Sequence, residues 1–168
     1  MALPFDRLKF LVTRRAATLG LAVTFGAWAA SPALACAPAR VLFVCRFGTV
    51  KSPVAREHFK RSAAARNLQV TAYARGITPE DHLSPQLAAA LAADGIDPKT
   101  EPVKTLSAAD ASAADITVFF DKPPAELAFA APRDWSDLPS MNEDYAKARA
   151  VLLARIDGLL DEIAARRC

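Results

Sequence analysis

Apolar and polar stretches alternate along residues 40–166 in a way that predicts strands and helices in turn. The first strand, Arg40–Cys45, is a charged residue followed by five apolar ones, typical of a strand buried on both faces of a parallel sheet. Further strands are predicted at Leu68–Ala74 and Asp115–Phe120, and helices at Ser52–Arg66, Pro85–Asp94, Ser107–Ala114 and Asn142–Arg166. This order predicts an α/β fold, a small open four-stranded parallel sheet with helices on both faces.

The last predicted helix has the most regular apolar pattern. Its face combines six residues at helical spacing: Tyr145, Ala148, Leu152, Ile156, Leu159 and Ile163. Gly95 is predicted to end the second helix as a C-terminal cap. The stretch before the last helix contains Pro123, Pro124, Pro132 and Pro139 and is predicted to be loop.

The beginning of the chain has the pattern of an export signal. A polar, basic segment precedes the apolar run Ala16–Ala30, and Ala33 and Ala35 occupy the small-residue positions of a cleavage site. The run is shorter than the roughly 20 residues that span a bilayer. We therefore predict that residues 1–35 are cleaved and that residues 36–168 form the mature domain; a retained membrane anchor is the alternative.

Two details concern the export route. Thr13-Arg14-Arg15 resembles a twin-arginine signal, which exports folded proteins. Leu34-Ala35-Cys36 resembles a weak lipoprotein processing site, so lipidation at Cys36 is an alternative attachment to the membrane. Both routes predict an exported protein facing the bacterial periplasm.

Composition narrows the range of ligands. With 168 residues, 52% hydrophobic and 23% charged, the chain suits one globular domain after a signal. Residues 1–35 hold four of the 21 basic and one of the 18 acidic residues, which leaves 17 of each. A neutral mature domain gives no indication of nucleic-acid binding. Three cysteines and two histidines predict neither a disulfide framework nor a metal site, and no cofactor is expected.

The candidate chemistry lies between the first strand and the first helix. Cys45 ends the strand, and Ser52-Pro53 opens the helix. Backbone N–H groups of a tight loop at a helix N-terminus converge on an anion, and the helix dipole adds positive potential. The same field favours the thiolate form of a cysteine, to which Ser52 can donate a hydrogen bond. We therefore predict a nucleophilic Cys45 beneath a phosphate or other tetrahedral oxyanion, bound by Arg46, Phe47, Gly48, Thr49, Val50, Lys51 and Ser52.

The segment resembles the signature loop of the low-molecular-weight protein tyrosine phosphatases and related arsenate reductases: Cys, five residues, Arg, Ser. The likeness continues through Ala74-Arg75-Gly76, Gly95-Ile96-Asp97 and Ala114-Asp115-Ile116. It implies the phosphotyrosine protein phosphatase I-like fold and a phosphomonoesterase that forms a phosphocysteine on Cys45. Phosphotyrosine proteins or aryl phosphates are the substrates it implies.

In that family an aspartate in a late loop protonates the leaving group. The resemblance implies Asp137 as this acid, with Asp134 as the alternative, while Asp121 is predicted to be structural. His58 and His82 are predicted to lie on a helix surface and in a loop, respectively.

The loop departs from the family pattern in two respects. Lys51 replaces the closing arginine, which keeps the charge and loses the planar fork that holds two oxygens. Phe47-Gly48 replaces a Gly-Asn pair, and Arg46 is a candidate for the missing guanidinium. Because loss of one preorganised donor costs roughly 100- to 1000-fold in rate, a non-catalytic oxyanion-binding relative is one alternative. An arsenate reductase is the other; it would need an external thiol, since no cysteine lies between Cys45 and Cys168.

Overall fold

The computed structural model describes residues 37–166. Eight elements follow in order: β1 (Ala39–Cys45), α1 (Lys51–Ala65), β2 (Val70–Gly76), α2 (Pro85–Ala93), α3 (Ala108–Ala113), β3 (Ile116–Phe119), β4 (Pro132–Asp134) and α4 (Tyr145–Ala165). The predicted export signal and Cys36 lie outside the described residues, so cleavage, lipidation and export stay predictions. Within residues 37–166, no helix combines the length and apolar character needed to cross a membrane.

The four strands form one open parallel sheet in the order β2-β1-β3-β4. Strand β1 is central, and its residues Val41–Cys45 are at most 5% exposed. A strand with neighbours on both edges and cover on both faces needs apolar side chains throughout, which explains the continuous apolar run. The predicted fold class is confirmed.

Alternate side chains of β1 enter two separate cores. Val41, Phe43 and Cys45 pack with residues of α1, α2 and α4. Leu42 and Val44 point to the opposite face and pack with Ala114 and Phe119. Helices α1, α2 and α4 therefore cover one face of the sheet, and α3, which contacts β1 and is followed directly by Ala114, lies on the other.

The predicted apolar face of the last helix is also confirmed. Five of its six members are buried, Ala148, Leu152, Ile156, Leu159 and Ile163, and Tyr145 is half-buried at the first turn. Gly95 follows α2 with a φ of +66°, and the N–H of Ile96 donates to Leu91 O at 2.8 Å, which closes the helix end as predicted.

Most element boundaries differ from the predictions by one residue, and three elements differ by more. The fourth strand, Pro132–Asp134, lies in the stretch predicted to be loop, because the open edge of β3 pairs with it. Proline is tolerated there as the first residue of an edge strand. Strand β2 runs two residues further than predicted, to Gly76. Helix α4 begins at Tyr145 instead of Asn142, because the Asp144 side chain accepts the Lys147 N–H as an N-cap.

The prediction that His58 lies on a helix surface is wrong. His58 is 2% exposed, and its Nε2 lies 3.1 Å from the Tyr145 hydroxyl. That hydroxyl donates to Asp94 at 2.8 Å, and Asp94 also pairs with Arg149. Burial, the largest effect, and nearby arginines lower the pKa of His58 to about 4, so the ring is neutral between α1 and α4.

Candidate active site

The loop between β1 and α1 folds tightly against β2. Gly48 has a φ of +71°, a conformation that L side chains rarely adopt. A Cβ built on Gly48 would lie 2.8 Å from the backbone of Gly76, and one on Gly76 would lie 3.0 Å from Gly48. The two glycines therefore allow the loop and the end of β2 to approach with no side chain between them.

The loop places the Cys45 thiol among hydrogen-bond partners. Its Sγ lies 3.1 Å from Ser52 Oγ and accepts the Gly48 N–H at 3.2 Å. Ser52 Oγ also lies 3.2 Å from Arg75 O, so its one proton can go either to the sulfur or to that carbonyl. A thiolate draws the proton to sulfur. A neutral thiol can instead donate to Ser52 while Ser52 donates to Arg75 O.

The N-terminus of α1 opens onto the same place. Its N-cap is Val50, whose side chain has no acceptor for the first N–H groups of the helix. Such groups need a partner, which at an exposed helix end is water or an anion. The structure thus brings N–H groups that no side chain among residues 37–166 caps, together with a cysteine sulfur, to the carboxyl edge of the sheet, where open α/β sheets bind ligands.

A cavity of about 180 Å³ lies above this edge. At roughly 30 Å³ per water molecule, it has room for a tetrahedral oxyanion. Its lining comprises Cys45, Arg46, Phe47, Val50, Lys51, His82, Asp121, Ser140, Met141 and Asn142.

Five predicted site residues, Cys45, Arg46, Phe47, Val50 and Lys51, therefore line one cavity. The other three loop residues do not. Gly48 and Ser52 lie beneath the sulfur, and the Thr49 hydroxyl donates to Glu80 O at 2.8 Å and faces another groove. Thr49 could therefore contact an anion in the cavity only through its backbone N–H, and the Gly48 N–H already donates to the Cys45 sulfur.

Lys51 connects the loop to the segment before α4. Its Nζ donates to Leu138 O at 2.9 Å. An ammonium has three donors, so two remain for a ligand in the cavity. Lys51 therefore supplies the positive charge at the end of the loop. Its bond to Leu138 also holds the segment that contains the predicted acid, Asp137.

The predicted acid is held by an arginine. Asp137 accepts two bonds from Arg155, at 2.9 and 2.6 Å, and its side chain is 74% exposed. The Arg155 guanidinium, and more weakly Lys51, hold the pKa of Asp137 below its usual range. The alternative, Asp134, accepts the Ser136 N–H at 2.8 Å, and hydrogen bonding to the Ser136 side chain first, then to its backbone, lowers the pKa of Asp134 too. Neither carboxylate lines the cavity. To act as the acid, Asp137 would have to break its pair with Arg155 and move towards the cavity.

Sequence reasoning missed five residues of the cavity lining: His82, Asp121, Ser140, Met141 and Asn142. Asp121, predicted to be structural, accepts the Arg46 N–H at 2.8 Å and also lines the cavity. Its position directly after a buried strand was the available signal, since such residues lie at the carboxyl edge of the sheet. His82 stacks on Phe47 with ring centroids 3.7 Å apart, and no sequence pattern indicated that pairing. Within residues 37–166 no cluster of His, Cys, Asp or Glu could hold a metal.

Fold and site together define a class: α/β proteins with a cysteine-bearing oxyanion loop between a central parallel strand and a helix. The family model of the low molecular weight phosphotyrosine protein phosphatases matches residues 40–163. The chain belongs to that family, whose members have the cysteine-based phosphatase or arsenate reductase fold. No curated protein matches the chain.

Solved structures share the fold at low sequence identity. YfkJ from Bacillus subtilis is 18% identical with a TM-score of 0.62, over 79% of this chain and 98% of its own. A low molecular weight protein tyrosine phosphatase from T. tengcongensis is 23% identical, with a TM-score of 0.57 over 74% and 99%. An arsenate reductase in the phosphate binding state is 21% identical, with a TM-score of 0.58 over 74% and 98%.

Proposed function

We propose that the protein is a cysteine-dependent phosphomonoesterase, with Cys45 as nucleophile. The observation that carries the proposal is the environment of Sγ, which accepts the Gly48 N–H and lies 3.1 Å from Ser52 Oγ at the uncapped N-terminus of α1. The thiolate is the nucleophilic form of a cysteine, and at this position it has two donors within reach, the Gly48 N–H and the Ser52 hydroxyl. The thiolate attacks phosphorus, the ester oxygen leaves, and water then hydrolyses the phosphocysteine to release phosphate.

Phosphotyrosine or another aryl phosphate is the substrate that the cavity favours. The stacked rings of Phe47 and His82 form one wall of it, and the Arg46 guanidinium lies 5.2 Å from the Phe47 ring centre. Aromatic rings stack favourably on such a wall. A leaving group with an aromatic ring would therefore gain contacts that an alkyl group would not.

The enzyme is proposed to be slow. Lys51 contributes charge but no bidentate grip on the phosphate oxygens. We propose Asp137 as the acid, because it neighbours Leu138, whose carbonyl Lys51 contacts. Its pairing with Arg155 favours the ionised form, which cannot donate a proton. Turnover then depends on the small fraction of molecules in which Asp137 is free and protonated.

The same observations favour a second candidate, a relative that binds the oxyanion without turnover. In that protein Lys51 and Arg155 would hold the segment 135–142 in place permanently. Arsenate reduction is ranked lower: Cys45 is the one free cysteine among residues 37–166, so the reaction would need an external thiol.

Hydrolysis of p-nitrophenyl phosphate by the reduced protein tests the proposal. We expect weak activity that Cys45→Ser abolishes and Lys51→Arg raises. Lys60→Arg is the matched control, because Lys60 lies on α1 outside the cavity and pairs with Glu101. Activity that appears only in Lys51→Arg would favour the non-catalytic binder. Unchanged activity in Cys45→Ser would refute the cysteine mechanism.

A further inference from the structure

Asp121 is a carboxylate inside a cavity built to receive an anion. It follows β3, whose register beside β1 brings it level with the beginning of the loop: Phe119 pairs with Val44, and the Phe120 N–H donates to Val44 O at 2.9 Å. Asp121 Oδ2 then accepts the Arg46 N–H at 2.8 Å. Its position is thus fixed by the sheet and by the loop together.

One oxygen of Asp121 is left for a ligand. Within residues 37–166, Oδ1 accepts no hydrogen bond, and the side chain lines the same cavity as Cys45. The other charged and titratable groups that share this lining are Cys45, Arg46, Lys51 and His82. The positive groups attract an oxyanion, while Asp121 repels one.

The chemistry of a carboxylate determines which oxyanions can remain beside it. An ionised carboxylate only accepts hydrogen bonds. An oxyanion without a proton presents acceptors alone, so it would leave Oδ1 facing another negative oxygen. An oxyanion that carries a proton can instead donate it to Oδ1 in a hydrogen bond between charged groups, which is among the stronger kinds.

We infer that Asp121 makes the cavity selective for tetrahedral oxyanions that carry a proton. The inference rests on the proposed oxyanion site and specifies its ligand. Hydrogen phosphate, hydrogen arsenate and the monoanion of a phosphate ester fit; sulfate and a fully ionised ester do not. Phosphate esters lose their second proton near pH 6, so the monoanion is the form of ester that the site accepts.

Phosphate and sulfate provide the test, because near pH 7.5 both are mainly dianions of similar shape and only phosphate carries a proton. Affinity for each is measured by calorimetry on the full chain. We expect the wild type to prefer phosphate by at least about tenfold, the lower end of what a hydrogen bond to a charged group contributes. Asp121→Asn keeps an acceptor for the Arg46 N–H and removes the charge. It should bind sulfate more tightly and discriminate by no more than about twofold.

Asp97→Asn is the matched control, because Asp97 also accepts one backbone N–H, from Lys99 at 2.8 Å, and lies outside the cavity. It should keep the wild-type preference. Equal affinities in the wild type, or a preference that survives in Asp121→Asn, would overturn the role of Asp121 while leaving the oxyanion site intact. Failure of all three proteins to bind either anion would overturn the proposed site itself. Equal affinities of the wild type for phosphate and sulfate would refute the role of Asp121 even if a variant does not fold.

Discussion

Replacing Gly48 by alanine tests whether the site depends on the close approach of the loop backbone at Gly48 to the β2 backbone at Gly76. The new Cβ would lie 2.8 Å from the Cα and N of Gly76 and 3.1 Å from Val103 Cγ1. Backbone atoms cannot turn aside as a flexible side chain can, so the loop and β2 must separate. The positive φ adds a second cost, because a left-handed conformation disfavours any Cβ.

The chain contains a matched control for separating the two costs. Gly95 has a φ of +66°, close to the +71° of Gly48, but a Cβ there would meet only Arg61 Nη2, at 3.5 Å. Gly95→Ala should therefore lose only the conformational part, about 1–2 kcal/mol of unfolding free energy. Gly48→Ala should lose that and a further roughly 1–3 kcal/mol, the usual cost of forcing extra volume into a packed region.

Urea unfolding monitored by circular dichroism gives the unfolding free energy of both variants. Hydrolysis of p-nitrophenyl phosphate reports whether the active site still works. Gly48→Ala should also lose activity, because the Gly48 N–H donates to Cys45 Sγ at 3.2 Å. Gly95→Ala should keep the activity of the wild type. Equal destabilisation by the two substitutions would show that the contact with Gly76 has no cost, and the reasoning would be wrong.

Two further predictions concern titrating side chains. Arg155→Met removes the cation that holds the pKa of Asp137 low, so the acid stays protonated to higher pH and the alkaline limb of the rate profile should move upwards. His58→Gln should flatten the dependence of stability on pH below 6.5. His58 has a pKa of about 4 in the fold, so the unfolded chain takes up a proton first as pH falls from 6.5 towards 4. Stability lost over that window should be on the order of 1–3 kcal/mol.

Each of these substitutions has a control in the chain. Arg133→Met removes an arginine that pairs with Glu162 on α4 and should leave the rate profile in place. His82→Gln changes an exposed histidine and should keep the slope of stability against pH. A rate profile unmoved by Arg155→Met would exclude Asp137 as the acid. If His58→Gln leaves the slope of stability against pH unchanged, the stability lost in acid must come from other groups.

The sequence by itself determined the central strand, the helices and the position of Cys45 at the carboxyl end of that strand. Local patterns suffice there, because burial on both faces requires the run Val41–Cys45 and helical spacing marks the apolar face of α4. The short edge strand Pro132–Asp134 could not be found in this way. It has three residues, two exposed, and exists because β3 offers an unpaired edge.

Tertiary structure alone decided which polar groups meet in the site. Asp121 accepts the N–H of Arg46, which lies 75 residues earlier in the chain, and Arg155 on α4 forms an ion pair with Asp137. A sequence pattern reports only neighbours along the chain. Arg56 is a similar case: its charged side chain is 2% exposed, and besides its sequence neighbour Glu57 it pairs with Glu101 from a distant loop. A charge is buried when partners from other elements offset its desolvation, and those partners are brought together only by the folded chain.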